Sequence, residues 1–446
     1  MRSPSFADQR LPAVPRWFWL ALGVLHGAFF AYQVCNQHYT FPDTDRYLTA
    51  ATNLRQAGEL YALPLSEPRH PQEYTIRPPG YPLFLLALGG TSEGFPWVVL
   101  LVQNLLSFFN LSLIALCLRR HQPKPWNWGA LLVLIATYPA QLIYANVLMS
   151  ELLLQTCVVV LWYCAWAYSE RQKLDYLLGA ALALTAAMLT KPVFYPFCSV
   201  FLLISAVVAW RTRRLALLAC GLLPLLVALL FQGWNYQRTG YFHFSSIAEI
   251  NLLRYNVRGV LQQTEGTESA ERFVREVVVK GNRLPSFAAQ QRYITAQSWS
   301  VLARYPLIAV RLHMQGTLNC FLDPGRFDWV HFLGLSSQSD VGLLAKLHAK
   351  GYAAIWQYVR QMPVALLVAL LVIAIANGLR LVLLGQFLLS RSYAWPLRLV
   401  VAVLVFYVVF LTGPLGAARF LVPVFPLIAL GAALGLRKRS IKSPDV

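Results

Sequence analysis

The stretch Trp17-Phe-Trp-Leu-Ala-Leu-Gly-Val-Leu-His-Gly-Ala-Phe-Phe-Ala-Tyr32 decides the class of fold. With its flank to residue 36 it is long enough to cross a hydrocarbon core of ~30 Å as a helix. It is too long and too aromatic for the apolar part of a signal peptide, and no small-residue cleavage site follows it. It therefore reads as an uncleaved membrane helix. Polar chain begins just beyond it with Phe41-Pro-Asp-Thr-Asp-Arg-Tyr47. Two carboxylates and an arginine at the mouth of a membrane helix suit a site that handles a phosphate-bearing substrate at the bilayer surface.

The rest of the chain has the same character. Of its 446 residues 57% are hydrophobic and 13% charged, with a mean hydropathy of +0.51. Soluble chains carry about 25% charged residues, so this one is solvated largely by lipid. Apolar runs recur at 96–118, 128–148, 151–168, 174–190, 194–210, 215–234, 363–389, 397–412 and 420–436. The expectation is an all-α polytopic membrane protein of about ten transmembrane helices.

Charge orients it. Alternate connections carry Arg2, Arg10 and Arg16, then Arg119, Arg120 and Lys124, then Arg171 and Lys173. The series continues with Arg211, Arg213 and Arg214, then Arg391 and Arg398, and ends with Arg437, Lys438, Arg439 and Lys442. The positive-inside rule makes these cytoplasmic, and both termini with them. The intervening short connections, near 149–151, 191–193 and 412–419, hold few cations.

Two long loops then fall on the outer face, 37–95 and 236–362. They divide the chain into a catalytic membrane module (1–235, with its first loop), a large outer loop (236–362) and C-terminal membrane helices (363–446). The second loop is basic, with Arg238, Arg254, Arg258, Arg272, Arg275, Lys280 and Arg283. Loops beyond about 60 residues translocate regardless of charge, so the cations point to an anionic substrate or to lipid headgroups. Both loops carry interfacial segments. Residues 46–57 pattern as an amphipathic helix, with Tyr47, Leu48, Ala51 and Leu54 on one side and Gly58 as its stop. Residues 80–90 are apolar but too short to span. Residues 299–322, interrupted by Arg304, Pro306, Arg311 and His313, read as lying in the interface.

The seven cysteines are scattered, mostly within apolar runs, and odd in number, which argues against a disulfide framework. No Walker, dinucleotide-glycine or zinc pattern occurs. The cytoplasmic connections are too short for a nucleotide-binding domain, so a nucleotide donor is not expected. His243, His313 and His331 show no metal spacing.

Several segments, in order, resemble a known group: Phe41-Pro-Asp-Thr-Asp-Arg-Tyr-Leu, Ala51-Thr-Asn-Leu-Arg and Arg77-Pro-Pro-Gly-Tyr-Pro, then Asn146-Val-Leu-Met-Ser-Glu151 and Leu189-Thr-Lys-Pro192. Trp234-Asn-Tyr-Gln-Arg-Thr-Gly240 and Ala418-Arg-Phe-Leu-Val-Pro423 follow. Together they are similar to the membrane glycosyltransferases of the GT-C fold, in the protein mannosyltransferase superfamily and its bacterial branch with the lipid A aminoarabinose transferase. The resemblance implies transfer of a sugar from a polyprenyl-phosphate carrier to an acceptor at the periplasmic face of the inner membrane. The acceptor, whether lipid, polysaccharide or protein, is left open, because the chain lacks the large soluble C-terminal domain of some relatives. No nucleic-acid partner is implied.

The chemistry can be argued from the residues as well. A sugar on a lipid phosphate already has a good leaving group, so the reaction needs a base for the acceptor hydroxyl and cations for the departing phosphate. Asp43 and Asp45 are the catalytic candidates. Arg77, Lys191, Arg238 and Arg419 are the phosphate candidates, each near the outer boundary. Glu151 and Tyr81 join them as substrate-binding residues on the family pattern. Each has a plainer reading. Asp43 suits an N-cap, Asp45 a helix dipole, Glu151 helix-end solvation, and Lys191 snorkelling beside Pro192. Arg77, Arg238 and Arg419 suit headgroup pairing. No cofactor is required, although a divalent cation bridging the aspartates and the phosphate remains open.

Two other classes compete. A polysaccharide polymerase or ligase would use a similar donor and an Arg-rich outer loop, but the early aspartate pair argues against it. A secondary transporter would show repeated halves and ionisable groups at helix midpoints, and neither is seen.

Overall fold

The computed structural model describes residues 13–92, 94–121, 123–335 and 363–436. The basic residues expected at 2, 10, 437–439 and 442, and the last part of the second loop, lie outside the described residues. Those described are helical, with no strand among them. Seven helical segments are long and apolar enough to cross a membrane. They are α1 (Arg16–Asn36), α4 (Trp97–Arg120), α7 (Glu151–Arg171), the segment Pro192–Thr212 ending in α9 (Phe197–Thr212), α10 (Leu215–Thr239), α17 (Val364–Leu389) and the segment Ala418–Gly435 ending in α19 (Phe425–Gly435). Three shorter apolar helices complete the bundle: α5 (Pro125–Ala136), α8 (Leu174–Thr190) and α18 (Trp395–Leu411). The protein is a multi-pass membrane protein, and every apolar run in the sequence is helical over most of its length, 128–148 in two pieces.

The run 128–148 does not form one continuous span. Helix α5 stops before Pro139, whose ring cannot continue it. A short α6 (Ala140–Ala145) follows, then irregular chain to Glu151. Irregular backbone at membrane depth needs partners from protein, because lipid offers none. Buried amides supply them. Gln103 Nε2 donates to the Val147 carbonyl at 2.8 Å, Asn104 Nδ2 to Ala145 at 3.1 Å and Gln33 Nε2 to Asn146 at 2.8 Å. Asn146 Nδ2 donates to the Leu142 carbonyl, and Gln141 and Gln155 exchange hydrogen bonds. These contacts fix the end of α7, where Glu151 sits.

The two ends of the bundle differ in chemistry. At one end Arg120 pairs with Glu170 at 3.7 Å, the His121 ring lies against Tyr393, and the Tyr393 hydroxyl donates to the Leu434 carbonyl. The basic connections after α4, α7 and α17 therefore gather there. The start of α7, the end of α8 and residues 418–419 lie at the other end, beneath the two loops.

In the first loop, α2 (Thr44–Ala57) forms as its amphipathic pattern requires and ends at Gly58, with φ 69°. The apolar stretch from residue 80 becomes α3 (Gly80–Ala87), packed on α2 and α8. The second loop builds α11 (Ile247–Asn251), α12 (Arg258–Thr264), α13 (Thr267–Asn282), α14 (Phe287–Arg304), α15 (Pro306–Leu322) and α16 (Arg326–Phe332). Leu253, Val257, Leu261, Val277, Ile294 and Val301 give it a small apolar core of its own. Residues 299–322 are thus divided between α14 and α15, which meet at Tyr305 before Pro306. The two loops are stitched together by His243 Nε2 and Thr75 Oγ1 at 2.8 Å, Ser245 to the Thr75 carbonyl, and Ser246 to the Gln72 carbonyl.

Candidate active site

Asp43 precedes α2, yet its side chain makes no capping hydrogen bond. Thr44 anchors that end instead. Its hydroxyl accepts from the Phe41 N–H at 2.8 Å and donates to the Leu148 carbonyl at 3.0 Å. The Asp43 carboxylate is therefore free to turn inward. Its Oδ1 accepts from Arg77 Nη2 at 2.6 Å and its Oδ2 from Arg419 Nη2 at 3.0 Å. The capping reading fails on this geometry.

Beside this pair lies a second. Glu151, fully buried at the first turn of α7, accepts from Lys191 Nζ at 2.7 Å, and Arg419 Nε approaches the same oxygen to 3.8 Å. Arg419 thus lies between the two carboxylates. Three cations face two carboxylates, leaving one net positive charge in a largely enclosed site. The donors are not exhausted either. Arg77 Nε and Arg419 Nε are buried without a hydrogen-bond partner, as is Glu151 Oε2.

Local sequence explains the convergence of Arg77 and Lys191. A Cβ on Gly80 would meet the Leu189 carbonyl oxygen at 2.7 Å, so only glycine lets the start of α3 press against the end of α8. Arg77 lies just before that contact and Lys191 just after it. Arg77 also stacks over the Tyr47 ring, 4.9 Å from its centroid. The Tyr47 hydroxyl is 3.0 Å from Ser150 Oγ, so α2 is tied to the start of α7.

Burial acts to raise the Asp43 pKa, but the charges of Arg77, Arg419 and Lys191 more than offset it and hold the carboxyl down at about 2. Asp43 is therefore ionised at any working pH. In this arrangement it is a weak base.

The other candidates lie elsewhere. Asp45 is exposed on the first turn of α2 and makes no ion pair among the described residues. Tyr81 is fully buried, donates to Gln103 Oε1 at 2.8 Å and packs edge-on against Tyr47, so it braces α3. Arg238 stacks on Trp234 and donates to the Leu60 carbonyl at 3.2 Å and to Asn235. It clamps the end of α10 to the first loop, apart from the Asp43 cluster.

Sequence reasoning missed two carboxylates after α15, Asp328, which is buried, and Asp323, which is half-buried. Asp328 Oδ1 accepts from the Tyr144 hydroxyl at 2.8 Å, and burial, with Asp323 and Glu151 nearby, pushes its pKa up to about 7. Asp323 Oδ2 accepts from the Ala418 N–H at 2.7 Å. Their signal in the sequence is slight, an Asp-Pro-Gly turn followed by Phe-Asp-Trp. Among the described residues no three or more His, Cys, Asp and Glu side chains are grouped to hold a metal ion. Of the two aspartates expected to bridge a divalent cation, Asp43 is already paired with Arg77 and Arg419 and Asp45 is exposed on α2.

No protein-family model matches the chain, and no curated protein matches it. Among solved structures it is similar to ArnT from Cupriavidus metallidurans bound to undecaprenyl phosphate, at 13% identity and a TM-score of 0.42, over 95% of this chain and 77% of that one. The apo state of the same protein gives 12% identity and a TM-score of 0.40, over 93% and 77%. The arabinosyltransferase EmbB from Mycobacterium smegmatis gives 14% and 0.36, over 91% of this chain and 43% of that one.

Proposed function

We propose that the protein is an inverting glycosyltransferase of the GT-C kind, moving a sugar from a polyprenyl-phosphate carrier to an acceptor at the periplasmic face of the inner membrane. The observation that supports this most directly is Asp43 held between Arg77 and Arg419, beside the Glu151–Lys191 pair, at the end of the bundle opposite its basic connections. A lipid phosphate at that level meets Arg77, Lys191 and Arg419, with guanidinium donors still unpaired. These are the charge-assisted contacts that stabilise a departing phosphate.

The reaction then runs as a single displacement. The acceptor oxygen forms a bond to the anomeric carbon as the bond from that carbon to the phosphate oxygen breaks. Asp43 takes the acceptor proton, and the phosphate carries away the electron pair. Attack opposite the leaving group inverts the centre, without the covalent intermediate of retaining carboxylate pairs. The low pKa of Asp43 fits this role only if the cations change partner. As the phosphate takes up Arg77 and Arg419, Asp43 loses the charges that depress it and gains an anionic neighbour, and both effects raise its pKa.

The test is mass spectrometry of surface glycans and lipids from a deletion strain complemented with wild type or Asp43→Asn. A sugar adduct lost on deletion and restored only by wild type supports the reading. An unchanged glycan and lipid profile on deletion rejects it.

A further inference from the structure

Arg419 reaches Asp43 and Glu151 from the first turn of the last membrane segment, just after a connection with little regular structure. Residues 412–417 read Thr-Gly-Pro-Leu-Gly-Ala, with Gly416 at φ 32°, and lead into the 3₁₀ turn Ala418–Val424. What fixes this chain comes from outside it. Asp323 Oδ2 accepts from the Ala418 N–H at 2.7 Å, and the Tyr138 hydroxyl donates to the Ala418 carbonyl at 2.7 Å. The residue before Arg419 is thus gripped on both sides of its backbone. Asn319 donates to the Gly416 carbonyl.

The two grips are themselves anchored. Asn377 of α17 donates to the Asp323 main-chain carbonyl at 2.9 Å, and Asp323 Oδ1 accepts from the Gly325 N–H at 3.1 Å. Tyr138 stacks on Phe425 with centroids 4.1 Å apart. A Cβ on Gly316 would run into the Gly413 carbonyl oxygen, so α15 lies backbone to backbone on this chain at that point. The Asp323 side chain has no hydrogen bond to any of Asp43, Arg77, Glu151, Lys191 or Arg419. Its two carboxylate oxygens serve main-chain N–H groups only.

We propose that Asp323 is a positioning residue, setting where the Arg419 guanidinium meets the donor phosphate by holding the Ala418 peptide. This rests on the reading of Arg419 as a phosphate ligand. Removing the carboxylate frees a buried N–H and lets the guanidinium drift, while an asparagine can turn its one acceptor oxygen to the Ala418 N–H and gives up only the longer bond from Gly325.

The test measures binding of undecaprenyl phosphate to the full chain in nanodiscs for Asp323→Ala, Asp323→Asn, Arg419→Ala and Asp323→Ala/Arg419→Ala. We expect Asp323→Ala to bind about 10-fold more weakly and Asp323→Asn to stay within about 3-fold of wild type. The double variant should be no weaker than Arg419→Ala alone, because both changes remove one contact. Additive losses would overturn the proposal, as would wild-type affinity in Asp323→Ala beside a weakened Arg419→Ala. Normal affinity in Arg419→Ala would instead remove the phosphate role of Arg419, and the positioning role with it. If Asp323→Ala does not fold, Tyr138→Phe releases the other grip. It should weaken binding in wild type and have no effect in the Arg419→Ala background; equal effects in both would overturn the proposal.

Discussion

Arg419 lies 376 positions from Asp43 in the chain and meets it at 3.0 Å, joining the loop after the first membrane helix to the last membrane segment. The pair spans nearly the whole sequence, so the site exists only when the entire bundle is assembled. It also sets the first expectation.

Asp43→Asn should lower transfer by about 10²-fold or more, the usual contribution of a general base. Binding of a polyprenyl phosphate should change far less. Turnover and lipid binding measured on the same nanodisc preparation separate the two. Wild-type turnover in the variant would remove Asp43 from the chemistry.

Lys191→Met should weaken donor binding about 10-fold or more and also lower stability, because it strips Glu151 of its 2.7 Å partner. Adding Glu151→Gln should restore the melting temperature and leave donor binding poor. Recovery of binding in the double variant would show that Lys191 serves only to neutralise Glu151.

The partner exchange proposed for Asp43 has a kinetic signature. The pH profile of kcat/KM reports the free enzyme, in which the carboxyl is held at about 2, so no acid limb from Asp43 should appear above pH 4. The profile of kcat reports the complex, and its acid limb should lie at higher pH. Coincident limbs in the two profiles would count against the exchange.

Asp328 gives a stability test with a definite sign. Its folded pKa of about 7 is above the unfolded carboxyl value, so folding favours the protonated form. That stability is fully present below about pH 4 and is lost as pH rises through 7. Asp328→Asn, which can still accept from Tyr144, should raise the free energy of unfolding at pH 8 by an amount on the order of 1–3 kcal/mol, read as a higher melting temperature. The gain should shrink at pH 5. An equal gain at both pH values would mean that Asp328 is not the titrating group.

Asp45→Asn and Arg238→Ala provide contrasts. Asp45 is exposed, and the Arg238 guanidinium is held by Leu60, Asn235 and Trp234 with only its Nε unpaired. Asp45→Asn should keep turnover within about 3-fold, as surface changes usually do. Arg238→Ala should act on stability first. A large loss of kcat in either variant, without loss of fold, would enlarge the site beyond the Asp43 cluster.

The sequence made the helices legible and also singled out the five side chains that the structure brings together. Asp43, Arg77, Lys191 and Arg419 stood out as charge near the outer boundary, where charge is rare, and Glu151 stood out on the family pattern. Asp45 and Arg238 carry the same mark for local reasons, which charge placement alone does not distinguish. Asp323 and Asp328 were hidden because their role is to hold backbone and a tyrosine. The break in 128–148 was hidden because hydropathy counts apolar residues and does not track hydrogen bonds. A signal was nevertheless present in α4, where Gln103, Asn104, Ser107 and Asn110 recur at helical spacing along one face.

That polar face bears on how such a protein should be altered. A designer seeking a more lipid-compatible helix would replace Gln103 and Asn104 with leucine, and every hydropathy scale would approve. The result would be a better isolated span and a worse protein. The carbonyls of Ala145 and Val147 would lose their donors, and the support beneath Glu151 would go with them. In this molecule, solubility in the bilayer and competence at its surface make opposite demands on the same helix.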